Sequence, residues 1–284
     1  MNSGALKSLA RDKLKEVYIK AALGMLICYI PVYMFSLLTT IMIERQVSPV
    51  VVLLIATLIE FFVTDIFTVG YMRSLFDLNR QSDNKRYDAN IVLSGFSNNY
   101  LNTLKTMFLR RLYVFGWGMI VSLPIIAVIC YIIASEGAGN ISEQYAIVQN
   151  LPDENAVAII IDIMLKYEYL IIGGAIAALC LLVLYIRKVY LYEMIPMIIA
   201  ENPELPSKEA FAKTKAIMEG YRFRYFLLIL SFIGILILLS LIVLVIPYTI
   251  VQYIVMAAIM PYINMTLLQF YLWRTKIDSE ERND

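Results

Sequence analysis

The chain has 284 residues, of which 60% are hydrophobic and 17% charged, with a net charge of +1 and a mean hydropathy of +0.71. Soluble domains usually carry about 25% charged residues, so a water-soluble core could not hide this much apolar surface. The balanced charge leaves no basic footprint for nucleic acid. With no histidine, the commonest general base and metal ligand are missing too.

An all-α class follows: a polytopic transmembrane helical bundle. A span needs about 20 mainly apolar residues. Six segments meet this, at 21–43, 48–72, 112–135, 167–187, 225–247 and 249–273. The first is long and lacks a small-residue cleavage site, so it reads as a span and not as a removed signal peptide. Cys28, Cys130 and Cys180 fall in apolar runs and form no CxxC, which makes them small apolar residues. Neither a metal nor another cofactor is implied.

Basic residues gather on the cytoplasmic side of membrane proteins. With the N-terminus inside, every Lys and Arg except Arg45 and Lys166 falls on the inner side. The expected topology is therefore N-in, C-in. The largest external connection, 136–166, carries Glu136, Glu143, Asp153, Glu154 and Asp162, in keeping with that orientation.

An amphipathic stretch precedes each odd-numbered span, at about 4–18, 98–110 and 207–219. The first places Leu6, Leu9, Ala10 and Val17 at helical spacing. The second does so with Tyr100, Leu101, Leu104, Met107 and Phe108. In the third, Ser207 is a candidate cap and Gly220 a stop, and Ala210, Phe211, Thr214, Ile217, Met218 and Tyr221 share a face. The even spans end on Tyr71-Met72-Arg73, Tyr185-Ile186-Arg187 and Tyr271-Leu272-Trp273-Arg274, as helices leaving a bilayer into the cytoplasm should. The order suggests three repeats of an interfacial helix and a helical hairpin within a single integral membrane domain, 1–284. The polar break at 202–206 lets the chain leave the membrane and lay a helix along its inner face.

Polar residues inside spans are costly in lipid. At 100° per residue, Thr57, Glu60, Thr64 and Thr68 share a stripe on span two, with Asp65 at its edge. Asp65 lies about 7.5 Å nearer the cytoplasm than Glu60 at 1.5 Å per residue. The stripe is open to two readings. It is packing glue between helices, or it lines a path or pocket for an ion, proton or polar ligand. Asn264 or Gln269 could assist Glu60 from another span. The inner-face basic positions Arg110, Arg111, Arg187 and Lys188 include candidate partners for Asp65. Pro31, Pro124 and Pro261 are candidate kinks. Glu201, Asn202 and Glu204 form an acidic inner turn that reads as a solvated loop.

The segment "YEMIPMIIAENPELPSKEAFAKTKAIMEGYRFRYFLLILSFIG" resembles the signature of the DUF975 family of bacterial membrane proteins. Pro196, Ile198, Ala200, Asn202 and Pro203 match its exit motif. Ser207, Glu209, Ala210, Gly220, Phe226, Leu228, Leu230, Ser231, Phe232 and Gly234 match the helix and span entry that follow. "GYMRSLFDLNR", "SGFSNNYLNTLKTMFLRRL" and "PYINMTLLQFYLWR" extend the resemblance over most of 70–274. It implies a multi-pass protein of the bacterial plasma membrane and supplies no catalytic residue, the family's function being unknown.

Catalytic motifs are missing: there is no phosphate-binding G-x-x-x-x-G-K-[ST] loop, no H-E-x-x-H and no G-x-G-D. The expectation is a non-enzymatic membrane protein, transporter-like or a ligand- or lipid-binding accessory. The alternative is a structural, docking or bacteriocin-immunity-type protein, with a lipid-acting enzyme third. The expected partners are the lipid bilayer, with a membrane protein or small ligand in addition, and no nucleic acid.

Overall fold

The computed structural model describes residues 2–81, 87–97, 99–137, 161, 164–245 and 249–281. Among them every regular element is helical. In chain order these are α1 (Ser3–Leu14), α2 (Tyr18–Glu44), α3 (Pro49–Ile59), a π-helical turn (Glu60–Thr64), α4 (Asp65–Arg80) and a 3₁₀ helix (Ala89–Phe96). There follow α5 (Tyr100–Glu136), α6 (Glu168–Tyr192), α7 (Ile195–Glu201), α8 (Ser207–Met218), α9 (Arg222–Leu230), α10 (Ile233–Val245) and α11 (Thr249–Glu281). Among the described residues five helical stretches are long and apolar enough to cross a membrane. The α9–α10 pair, bent by 41°, makes a sixth if it is one span.

The chain forms two compact units. Met1–Arg111 with Tyr190–Asp284 make the first, and Leu112–Val189 the second. The second is an antiparallel helical hairpin. Gly174 faces the Val128 side chain, Gly118 faces Tyr185, and the Ser135 hydroxyl lies 3.0 Å from that of Tyr167. At the other end Lys188 Nζ sits 4.9 Å from the Trp117 ring centroid.

The first unit is organised around α4, which buries Ile66, Val69, Tyr71, Met72, Leu75, Phe76 and Leu78. The 3₁₀ helix lies against it backbone to backbone. A Cβ on Gly70 would run into the Val92 carbonyl, and one on Gly95 would sit 2.5 Å from the Ile66 carbonyl oxygen. Glycine is required at such approaches because any side chain would push the elements apart. Just before the 3₁₀ helix, Tyr87 fills the notch over Gly24 of α2, and its hydroxyl lies 2.9 Å from Ser74 Oγ. Burial raises the Tyr87 phenol above its ordinary pKa, so it stays neutral there. Helix α7, buried from Ile195 to Ala200, covers another side of α4.

The amphipathic stretches take three forms. Helix α1, capped by Asn2 Oδ1 on the Ala5 amide at 2.9 Å, buries Leu6, Ala10 and Leu14, while Leu9 is exposed. Helix α8 buries Ser207, Ala210, Thr214, Ile217 and Met218 and leaves Phe211 half-buried. Both helices pack on α11. The cap of α8 differs from expectation: Pro206 takes the cap position, and Ser207 Oγ lies 2.8 Å from Thr106 Oγ1. Gly220, at φ +72°, adopts the left-handed conformation just past the helix. The middle stretch is not a separate helix. It is the first part of α5, which runs unbroken to Glu136. Its protein-facing side is mixed: Thr103, Thr106 and Met107 are buried, whereas Leu101 and Phe108 are exposed. Hydrogen bonds from Asn102 and between Thr106 and Ser207 hold this side against the 203–207 turn, and Leu101 and Phe108 turn outward.

Candidate functional site

The polar stripe of span two is split by the π turn. A π turn bonds i to i+5 and adds a residue to the helical repeat. Positions before and after it therefore leave the common face that regular α spacing would give them. Thr57 is exposed and donates to the Leu53 carbonyl at 2.8 Å. Thr64 and Thr68 are half-buried, and Thr68 donates to the Thr64 carbonyl at 2.9 Å. Glu60 opens the π turn, and its side chain lies outside the described residues.

Asp65 follows the π turn directly and is 5% exposed. Arg111 of α5 meets it in a two-toothed pair, Nε to Oδ2 at 2.5 Å and Nη2 to Oδ1 at 3.0 Å. Parallel N–H donors matched to both carboxylate oxygens make this the strongest geometry for such a pair. Next to it on α5, Arg110 donates from Nε to the Tyr192 carbonyl at 3.2 Å and from Nη2 to Glu193 at 3.1 Å. Adjacent arginines thus tie α5 to α4 and to the end of α6. Arg187 is exposed and Lys188 lies over Trp117, both in the second unit.

The other candidate helpers serve elsewhere. Gln269 Nε2 donates to Asn79 Oδ1 at 2.7 Å, and Asn264 Nδ2 lies 3.9 Å from Met25 Sδ. The first and third helix exits are buried in protein instead of anchoring at a lipid interface. Tyr71, Arg73, Tyr271 and Arg274 are all at or below 8% exposure, because these parts of α4 and α11 are packed inside the first unit. Arg274 donates to the Ile217 carbonyl at 3.1 Å and stacks 3.8 Å from the Tyr221 centroid.

The acidic turn is held, not merely solvated. Glu201 Oε2 accepts from Tyr271 at 2.5 Å and from Lys213 at 3.1 Å. Asn102 Nδ2 donates to the carbonyls of Pro203 and Leu205 at 2.8 and 2.9 Å. The polar break at 202–206 is thus a docked connector between α7 and α8. Sequence periodicity pointed away from Asn102 and Thr106, because polar residues on an amphipathic helix are read as solvent-facing, and Arg73 read as an interface anchor.

The family model for a protein of unknown function, DUF975, matches residues 1–277. The chain belongs to the DUF975 family. The match reaches beyond the segments that carry the sequence resemblance and takes in α1 and α2. No curated protein and no solved structure matches the chain. The signature of this DUF975 protein has a structural meaning. Its Pro196–Ala200 stretch is buried in α7, its Asn202-Pro203 turn is gripped by Asn102, and its Ser207 meets Thr106.

Proposed function

We propose that this DUF975 protein is a non-enzymatic, multi-pass protein of the bacterial plasma membrane, transporter-like or serving as a ligand-binding accessory. Both termini are cytoplasmic, and three copies of a helix followed by a hairpin make up the chain. The repeat is degenerate, its middle copy having fused the leading helix into the span. The observation that carries the reading is the buried Asp65–Arg111 pair immediately after a π turn. Ionisable groups in membrane helices are rare and mark pathways for ions, protons or polar ligands. π turns recur at functional sites. A pair at a helix irregularity can open and close as a unit, whereas apolar packing would hold the helices equally well without desolvating a carboxylate.

The test is charge movement in proteoliposomes, recorded on solid-supported membranes during rapid exchange of pH and of pools of amino acids, small organic anions and cations. A transient current with one pool in the wild type, lost in D65N, supports the reading. A stable D65N protein whose currents match the wild type for every pool sinks it.

A further inference from the structure

Arg73 of α4 is 8% exposed, and its guanidinium is only partly satisfied. Nη1 donates to the Ser94 carbonyl at 2.7 Å and lies 3.4 Å from Ser94 Oγ. Nε and Nη2 are buried with no hydrogen-bond partner. These two nitrogens form one side of the guanidinium, the fork that matches both oxygens of a carboxylate or two oxygens of a phosphate. Arg73 and Ser94 also line a cavity of about 370 Å³, together with Arg80, Asp77 and Glu201. The carboxylates there are engaged elsewhere: Glu201 with Lys213 and Tyr271, Asp77 with Gln81 Nε2 at 2.9 Å. The lining thus carries two arginines and two carboxylates, one of which, Glu201, is paired with Lys213 from outside the lining. Among the described residues Arg274 is also deeply buried, with Nη1 lacking a partner, but an aromatic ring lies under its guanidinium. A buried charge that caps a single carbonyl costs more in desolvation than that hydrogen bond returns. The arrangement makes physical sense when an anion completes it.

We propose that this cavity binds a small anionic molecule or headgroup through one oxyanion group, held by the Arg73 guanidinium once a small side-chain rotation turns its buried Nε–Nη2 side toward the cavity that Arg73 lines. Arg80, exposed at the end of α4, draws the anion in. The proposal goes beyond the ion-pair reading and does not rest on it.

The full-length protein in phosphatidylcholine nanodiscs is titrated with inorganic phosphate and, separately, with acetate. Chloride at matched ionic strength is the control, and the thermal midpoint is followed. At least one oxyanion should raise the midpoint saturably while chloride does not. In R73K, which keeps the charge and loses the fork, half-saturation should rise at least tenfold. If R73K does not fold, R80E carries the test and must weaken the response at least threefold. Nanodiscs containing phosphatidylglycerol separate the sources. Loss of the phosphate response there, with an anionic lipid retained in native mass spectrometry and released by R73K, identifies a headgroup. A response that persists identifies a free solute. The proposal is overturned if neither anion raises the midpoint and no anionic lipid is retained, or if R73K (or R80E in its place) behaves as the wild type does. D65N should leave this response unchanged, so failure at either site is read separately.

Discussion

Gly70 of α4 lies so close to the Val92 carbonyl of the 3₁₀ helix that no side chain fits between them. The obstruction is backbone, so a rotamer change cannot relieve it. G70A should therefore lower stability by at least the ~1–3 kcal/mol typical of overpacking. Thermal unfolding in detergent measures it, and a midpoint equal to wild type would show that the two elements separate freely.

The Asp65–Arg111 pair should respond asymmetrically. The Asp65 side chain is 7% exposed and that of Arg111 is 32% exposed. Removing the arginine takes the two-toothed partner from a buried carboxylate, whereas removing the carboxylate leaves an arginine that can reach water. R111A should cost roughly 3–5 kcal/mol, and D65N distinctly less. The double variant D65L/R111M should recover much of the R111A loss. Equal losses for the two single variants would contradict this burial argument.

Much of the architecture was legible in the sequence because hydropathy and length act locally. Apolar stretches of about 20 residues mark helices whatever surrounds them. The faces of α1 and α8 were also largely readable, since Leu6, Ala10, Ala210, Ile217 and Met218 obey helical spacing and are buried. What failed depended on tertiary partners. Thr57 and Asp65 part company because a π turn shifts the register, and no residue type announces that turn. Leu101 and Phe108 face outward because a distant turn recruits Asn102 and Thr106 to the protein side. In a membrane protein an apolar face does not by itself point inward. Asp65 was visible as an anomaly, and an arginine on α5 was among its candidate partners. Arg73 read as an interface anchor, and nothing local to it reveals that Ser94 and α7 enclose it.

Asn102 should control the connector between α7 and α8. N102A removes two hydrogen bonds to carbonyls, each contributing about 0.5–1.5 kcal/mol. N102D places a carboxylate against the same carbonyls and should be worse. Hydrogen exchange at residues 202–207 should accelerate in both variants, with little change in the second unit. Unchanged exchange at the connector would remove Asn102 from this role.

Topology can be tested on described, exposed positions. In a Cys-free background, single cysteines at Lys215 and Glu168 should label oppositely in intact cells. Glu168 should react with an impermeant maleimide, and Lys215 should react only after permeabilisation. Reaction at Lys215 in intact cells would reverse the orientation derived from the basic residues.

The last prediction concerns the bend between α9 and α10. The Ile235 amide bonds to the Phe232 carbonyl at 2.9 Å, so the Ser231 carbonyl loses its usual helical partner. Lys7 of α1 supplies a replacement, with Nζ donating to Ser231 O at 2.8 Å and lying 4.1 Å from the Phe232 ring centroid. Burial lowers the Lys7 pKa from its ordinary value, so the ammonium gives up some hydration to make these contacts. The contact is exposed enough for water to compete, so K7M should cost no more than about 1 kcal/mol globally. Its local effect should be larger. Without the lysine, the cheapest way to satisfy the Ser231 carbonyl is to restore the helical bond from the Ile235 amide, which straightens the bend. Spin labels at Leu227 and Ile237, both exposed, should move apart in K7M. An unchanged distance distribution would mean that packing around Phe232 sets the bend by itself.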